Sequence, residues 1–205
     1  MHVTHSASGD VGRVAVLIPL RSLRSGKARL SAVLDDADRA TLIELMATSV
    51  VNAAQDLDVL IVHDSSEVEA WATERGALTL RPDQPGLNHA VQAGRTHLRT
   101  LGYDRVIIAH ADLPHATDLR MMLTGHPITM VTDRVGDGTN VLCLPTGLDF
   151  EFAYGPGSFD HHRSTARALG IEPEIIDDSG LAWDVDHPDD LTTDLTAKLG
   201  ENTPR

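Results

Sequence analysis

Short, wholly apolar runs that stop at a proline or a carboxylate, spaced by longer amphipathic stretches, constrain this chain more than any other feature. Val14-Ala-Val-Leu-Ile18 ends at Pro19, Val59-Leu-Ile-Val62 follows, and Val106-Ile-Ile-Ala109 leads into His110-Ala-Asp112-Leu-Pro114. Aliphatic runs without polar alternation are buried on both faces, as strands inside a parallel sheet are. Between them, Leu42, Leu45, Met46, Val50 and Ala53 recur at helical spacing, which predicts a helix over 36–55 with Asp35 or Asp36 as cap. The same reading predicts helices over 67–75, 87–101, 118–123, 158–169 and 188–199. Strands are expected at 77–80, 128–131 and 141–144, with an extended piece at 173–176. Strand and helix in alternation are the βαβ signature: an α/β, Rossmann-like fold, its mostly parallel sheet covered by helices on both faces. Residues 1–12 read as a flexible leader, 13–199 as a single domain and 200–205 as a tail.

Composition removes several function classes. Of 205 residues, 41% are hydrophobic, enough for one sizeable core, but only 3% are aromatic, so aliphatic side chains do the packing. Seventeen basic against 30 acidic residues give a net charge of -13. That balance argues against nucleic acid or an anionic membrane as the main partner. A single cysteine, Cys143, excludes an internal disulfide and a cysteine-rich metal site. No apolar run approaches the roughly 20 residues that span a bilayer. Residues 1–12 lack the apolar core of a signal peptide, so the cytoplasm is the expected location.

Six segments could carry chemistry. Asp112 should sit just past the carboxyl end of a central strand, the edge where open α/β sheets bind ligands; a turn or cap role would explain it equally well. Arg21, Arg24, Lys27 and Arg29 crowd the loop after the first strand, beside Gly26, and could hold a polyphosphate or be a solvated basic loop. The standard phosphate-loop and dinucleotide fingerprints are absent there. Gly86-Leu-Asn88 precedes a helix, so Asn88 either caps it or bonds a base or ribose. Gly136-Asp-Gly-Thr139-Asn140 is a tight turn or a backbone nest with the Thr139 hydroxyl facing an anion. Gly155-Pro-Gly-Ser158 opens a helix, with Ser158 as its cap, with free N–H groups for a phosphate or carboxylate, or with both. Finally, Asp184 and Asp186 point to one side of an extended segment and repel unless a cation sits between them; with Asp112 they offer oxygen ligands for Mg²⁺. His161-His162 shows no zinc spacing and reads as a local contact.

Taken in order, Ile18-Pro-Leu20 with Lys27-Ala-Arg-Leu-Ser31, Gly86-Leu-Asn88, Ala111-Asp-Leu-Pro114, Gly138-Thr-Asn140, Gly155-Pro-Gly-Ser-Phe159 with His162, and Asp184-Val-Asp186 before Pro188-Asp-Asp-Leu191 resemble the guanylyltransferases of coenzyme F-420 biosynthesis. That family comprises the 2-phospho-L-lactate and phosphoenolpyruvate guanylyltransferases, with a Rossmann-like nucleotidyltransferase fold. The resemblance spans most of the chain. It implies transfer of GMP from GTP to the phosphate of phosphoenolpyruvate or 2-phospho-L-lactate, with release of pyrophosphate. It also implies that Arg21, Lys27, Arg29, Gly86 and Asn88 serve the nucleotide, and Thr139, Gly155 and Ser158 the acceptor. Asp112, Asp184 and Asp186 would then hold Mg²⁺, with Lys27 and Asp112 catalytic. Arg21 stands where Lys is common, Tyr154 replaces the usual Phe, and His110 and His115 flank the Ala-Asp-Leu-Pro core. The competing readings are another small-molecule nucleotidyltransferase and a non-catalytic nucleotide-binding regulatory module. A homodimer stays open; no nucleic-acid or membrane partner is expected.

Overall fold

The computed structural model describes residues 12–202. Its strands are β1 (Val14–Pro19), β2 (Asp58–Val62), β3 (Leu78–Leu80), β4 (Arg105–Ala109), β5 (Thr129–Thr132), β6 (Thr139–Pro145) and β7 (Glu174–Ile175). The helices are α1 (Asp36–Ala53), α2 (Ser66–Glu74), α3 (Leu87–Thr100), α4 (Ser158–Ala168) and α5 (Thr193–Asn202). All seven strands form one sheet in the order β3-β2-β1-β4-β6-β5-β7. β1, β2, β3 and β4 are mutually parallel, as are β5 and β7, while β6 runs antiparallel to both its neighbours. The turn between β5 and β6 is too short for a parallel crossover, so those strands must pair antiparallel. The sheet is mostly parallel, as the apolar runs predict.

Alternate residues of each strand feed opposite cores. Val16 and Ile18 pack with Ile61 and Ile107 beneath Leu42, Met46 and Val50 of α1 and Leu195 and Leu199 of α5. Ala15 and Leu17 pack with Leu60, Val106 and Ile108 against Val91 and Leu98 of α3 and Ala166 of α4. α3 lies so close to the sheet that a Cβ on Gly94 would fall 2.4 Å from Leu17 Cδ1 and 2.8 Å from Val62 Cγ2.

Three local expectations need correction. The stretch 188–199 is not one helix: a 3-10 turn, Pro188–Asp190, gives way to extended backbone at Leu191 (ψ 103°), and α5 starts at Thr193. The Asp190 carboxylate accepts the N–H groups of Asp186 and His187, which closes a short turn and stops it. Residues 118–123 hold a 3-10 turn, Leu119–Met122, capped by the Asp118 side chain. α5 continues through Asn202, past the expected start of the tail at residue 200. The expected leader falls outside the described residues except for Gly12. Among the described residues no helix is long and apolar enough to cross a membrane.

The fold gathers the functional segments at one edge. The carboxyl ends of β1 to β4 meet there, and antiparallel β6 brings its amino end to the same place, with Val141 opposite Ala109.

Candidate active site

A cleft of about 950 Å³ opens at this edge. Arg21, Lys27, Arg29, Gly86, Asp112, Thr139, Gly155, Ser158, Asp184 and Asp186 all line it; Asn88 does not, and neither does Arg24 of the basic loop, which pairs with Glu67 instead.

Lys27 is the centre. Its backbone is left-handed (φ 51°, ψ 40°) and sets up the 3-10 turn Ala28–Leu30, which turns the side chain inward to 12% exposure. Nζ donates to Asp112 Oδ2 at 2.5 Å and to Asp186 Oδ1 at 2.9 Å, joining positions 85 and 159 residues apart. Burial pulls the Lys27 pKa down, but Asp112 and Asp186 outweigh it and hold the ammonium above its ordinary range. Burial likewise opposes ionisation of Asp112, and Lys27, then His110, hold its carboxyl below the usual carboxylate range. Asp112 Oδ1 is buried and has no hydrogen-bond partner among the described residues. Arg29 reaches Asp186 at 3.5 Å. Arg21 pairs with Asp64 at 3.3 Å with both side chains well exposed, an arrangement that contributes little to stability.

The Asp184–Asp186 segment is strapped down by Arg134, Trp183, Asn140 and Asp190, none of which receives a site role from sequence. Asp190 accepts the Asp186 N–H at 2.8 Å and ion-pairs with Arg134. The Arg134 guanidinium lies 3.9 Å above the Trp183 ring, and Trp183 Nε1 donates to the Asp190 carbonyl. Asn140 donates to the Leu181 carbonyl and, at 3.5 Å, to Asp184 Oδ1. Burial and then the nearby Asp112 charge raise the Asp184 pKa. Asp112 and Asp184 thus oppose each other across the cleft floor while Asp186 is taken up by Lys27 and Arg29. Among the described residues no group of three or more His, Cys, Asp or Glu is arranged as a metal cage. Two carboxylates suffice for an ion that keeps waters and substrate phosphates.

On the opposite wall, the expected anion-binding N–H groups are already bonded within the protein. The Asp133 carboxylate accepts from Val135, Asp137 and Gly138, so the nest encloses the chain's own anion. The Asp137 carboxylate accepts the Gly157 N–H at 3.0 Å and its carbonyl the Phe159 N–H, while Ser158 N–H reaches Gly155. Ser158 does not cap α4; Gly157 (φ 72°) does. The Ser158 hydroxyl instead accepts the Thr139 N–H at 3.0 Å, and the Thr139 hydroxyl pairs with His162 Nδ1 at 3.0 Å. His162 Nε2 accepts the Ala153 N–H, and burial lowers its pKa to about 4. Gly86, at φ 112°, occupies the cap position of α3 that the sequence offered to Asn88. The Asn88 amide turns away from the cleft to the Tyr154 backbone.

Solved structures share this architecture. A nucleotidyl transferase from Methanothermobacter superposes with a TM-score of 0.65 at 16% identity, over 93% of this chain and 99% of that one, which establishes the fold. The family profile described as "Guanylyl transferase CofC like" matches residues 14–202. The chain belongs to that family. Its relatives include a phosphoenolpyruvate guanylyltransferase from Sphaerobacter thermophilus, 34% identical over 85% of this chain and 89% of that one. A 2-phospho-L-lactate guanylyltransferase from a Methanocaldococcus species is 30% identical over 86% of this chain and 78% of that one. The chain is therefore a guanylyl transferase, and its cleft has Lys27 and three aspartates at the floor.

Proposed function

We propose that this enzyme transfers GMP from GTP to the phosphate of phosphoenolpyruvate or 2-phospho-L-lactate, releasing pyrophosphate, in coenzyme F-420 biosynthesis. The observation that carries the reading is the Lys27 ammonium held between Asp112 and Asp186 in the cleft, beside a buried Asp112 oxygen without a partner.

That unpartnered oxygen and the raised Asp184 carboxyl fit a divalent cation, and Mg²⁺ suits an all-oxygen site with few protein ligands. Asp112 and Asp184 would hold it, with Asp186 turned toward Lys27 and Arg29. Bound there, Mg²⁺ supplies positive charge next to the reacting phosphates. Lys27 and Arg29 bind and orient the triphosphate, which on a chain of charge -13 requires such a local concentration of cations. Gly86 leaves room for the nucleoside at the start of α3. Thr139, Gly155 and Ser158 shape the wall that receives the acceptor. An acceptor phosphate oxygen attacks the α-phosphorus in line. A new phosphoanhydride bond forms, the bond to the β-phosphate bridge breaks, and pyrophosphate leaves. The attacking oxygen is already anionic near neutral pH, so the chain needs no strong general base.

The test is pyrophosphate release from GTP and Mg²⁺ with phosphoenolpyruvate, 2-phospho-L-lactate and 3-phosphoglycerate in turn. Release with one of the first two is expected. Silence with all three would leave the non-catalytic nucleotide-binding module as the better description.

A further inference from the structure

We propose that Asn88 and His162 are positioning residues for the acceptor side of the cleft, holding the two residues that precede Gly155. The inference rests on the function proposed above.

Ala153 and Tyr154 lie outside any strand, yet their backbone groups are not left to solvent. The Tyr154 N–H donates to Asn88 Oδ1 at 2.7 Å, and Asn88 Nδ2 donates back to the Tyr154 carbonyl at 3.3 Å. One side-chain amide thus satisfies both backbone groups of one residue, as a neighbouring strand does for a hydrogen-bonded residue. The Ala153 N–H donates to His162 Nε2 at 3.0 Å. Because Nε2 accepts, the ring proton of neutral His162 resides on Nδ1, where it reaches Thr139 Oγ1 at 3.0 Å. Thr139 in turn gives its N–H to Ser158 Oγ. The turn 155–158 is thereby fixed at both ends. Asn88 and His162 hold the residues before it, and His162 acts through Thr139 on the residue that closes it.

These contacts bear on what Asn88 does. It sits in the first turn of α3, next to Gly86 at the cleft, and its position alone suggests a nucleoside contact. Its amide faces Tyr154 instead, and it does not line the cleft. Tyr154 is buried, with its ring 4.7 Å from that of His162, while Ala153 is half-buried and Asn88 exposed, so it is the Tyr154 N–H that has little solvent to replace a lost partner. Removing Asn88 therefore displaces Gly155 and the acceptor wall, and leaves the nucleotide side intact.

The experiment measures the KM for the acceptor and for GTP separately, by pyrophosphate release, alongside thermal melting. Asn88→Ala and His162→Asn should each raise the acceptor KM about tenfold, the equivalent of one unsatisfied buried N–H, with the GTP KM unchanged. His162→Gln places an acceptor oxygen near the Nε2 position and should recover most of the loss. The milder Asn88→Asp keeps the acceptor for the Tyr154 N–H and should show the same split at smaller size. The double variant should lose less than the product of the single losses, because both act on one segment. A raised GTP KM in the Asn88 variants makes Asn88 a nucleoside contact and overturns the inference alone. Lowered melting temperatures with both KM values unchanged reduce the pair to a purely structural role and also overturn it. A wild-type protein that releases no pyrophosphate with any acceptor overturns the function reading and the inference together.

Discussion

Replacing Asp112 by asparagine separates the chemistry of the cleft from its stability. The two carboxylate oxygens have different fates: Oδ2 accepts from Lys27 at 2.5 Å, and Oδ1 is buried without a partner. Asparagine keeps an oxygen that Lys27 can donate to, while Lys27 retains Asp186 at 2.9 Å. The loss on folding is the difference between a charge-assisted and a neutral hydrogen bond, about 1 kcal/mol. Relief of the repulsion that raises the Asp184 pKa offsets part of it. For a chain of this size that corresponds to a shift in Tm of about 2–4 °C. Catalysis loses one oriented negative group at the reacting phosphates, worth about 2.7–4 kcal/mol, so kcat should fall at least ~10². The assay is steady-state pyrophosphate release at saturating GTP, acceptor and Mg²⁺, with melting curves on the same preparations. Turnover within about tenfold of wild type, a barrier change of only about 1.4 kcal/mol, would remove Asp112 from the mechanism.

Further outcomes follow from other parts of the molecule. Gly94→Ala drives a methyl into Leu17 and Val62 and should destabilise by about 1–3 kcal/mol, read as a lower urea midpoint at unchanged slope. His162 is held near a pKa of about 4 by burial, whereas the unfolded chain takes up that proton near 6.5, so its effect is a loss of stability as pH falls through this window. The loss from pH 7 to pH 5 is about 2 kcal/mol, and His162→Gln should flatten that part of the stability–pH curve; an unchanged slope would contradict it. Arg134→Met removes the ion pair to Asp190 and the contact over Trp183 that hold the Asp184–Asp186 strap. The Mg²⁺ concentration for half-maximal activity should rise about tenfold, and an unchanged requirement would detach the strap from the metal site.

The fold was legible where burial writes itself into the chain. Val14–Pro19 and Arg105–Ala109 announce central strands because both their faces are covered, and the spacing of Leu42, Met46 and Val50 announces the helix above them. Pro188 was less informative, since it opens a 3-10 turn as readily as a helix. What stops that turn is the Asp190 carboxylate bonding backward to Asp186 and His187. Ser158 looked like a cap because its residue type suits one. The carboxylate that accepts the cap N–H of that helix is Asp137, contributed by the β5–β6 turn, a long-range partner no local pattern reveals. Asp133, by contrast, fills the expected nest from within its own loop, accepting the N–H groups of Val135, Asp137 and Gly138. Lys27 and Asp112 stood in the right segments, but their contact across 85 residues emerges only from the parallel pairing of β1 and β4. Asn88 shows the limit most clearly: a polar residue at a helix start beside the cleft, whose amide faces the other way.

The proposed transfer turns on where the α-phosphate of GTP goes. With GTP labelled at that phosphorus, Mg²⁺ and either phosphoenolpyruvate or 2-phospho-L-lactate, the label should appear in a phosphoanhydride joining GMP to the acceptor, with one pyrophosphate released per product. Label found only in unreacted GTP, or in free GMP regardless of acceptor, would contradict it.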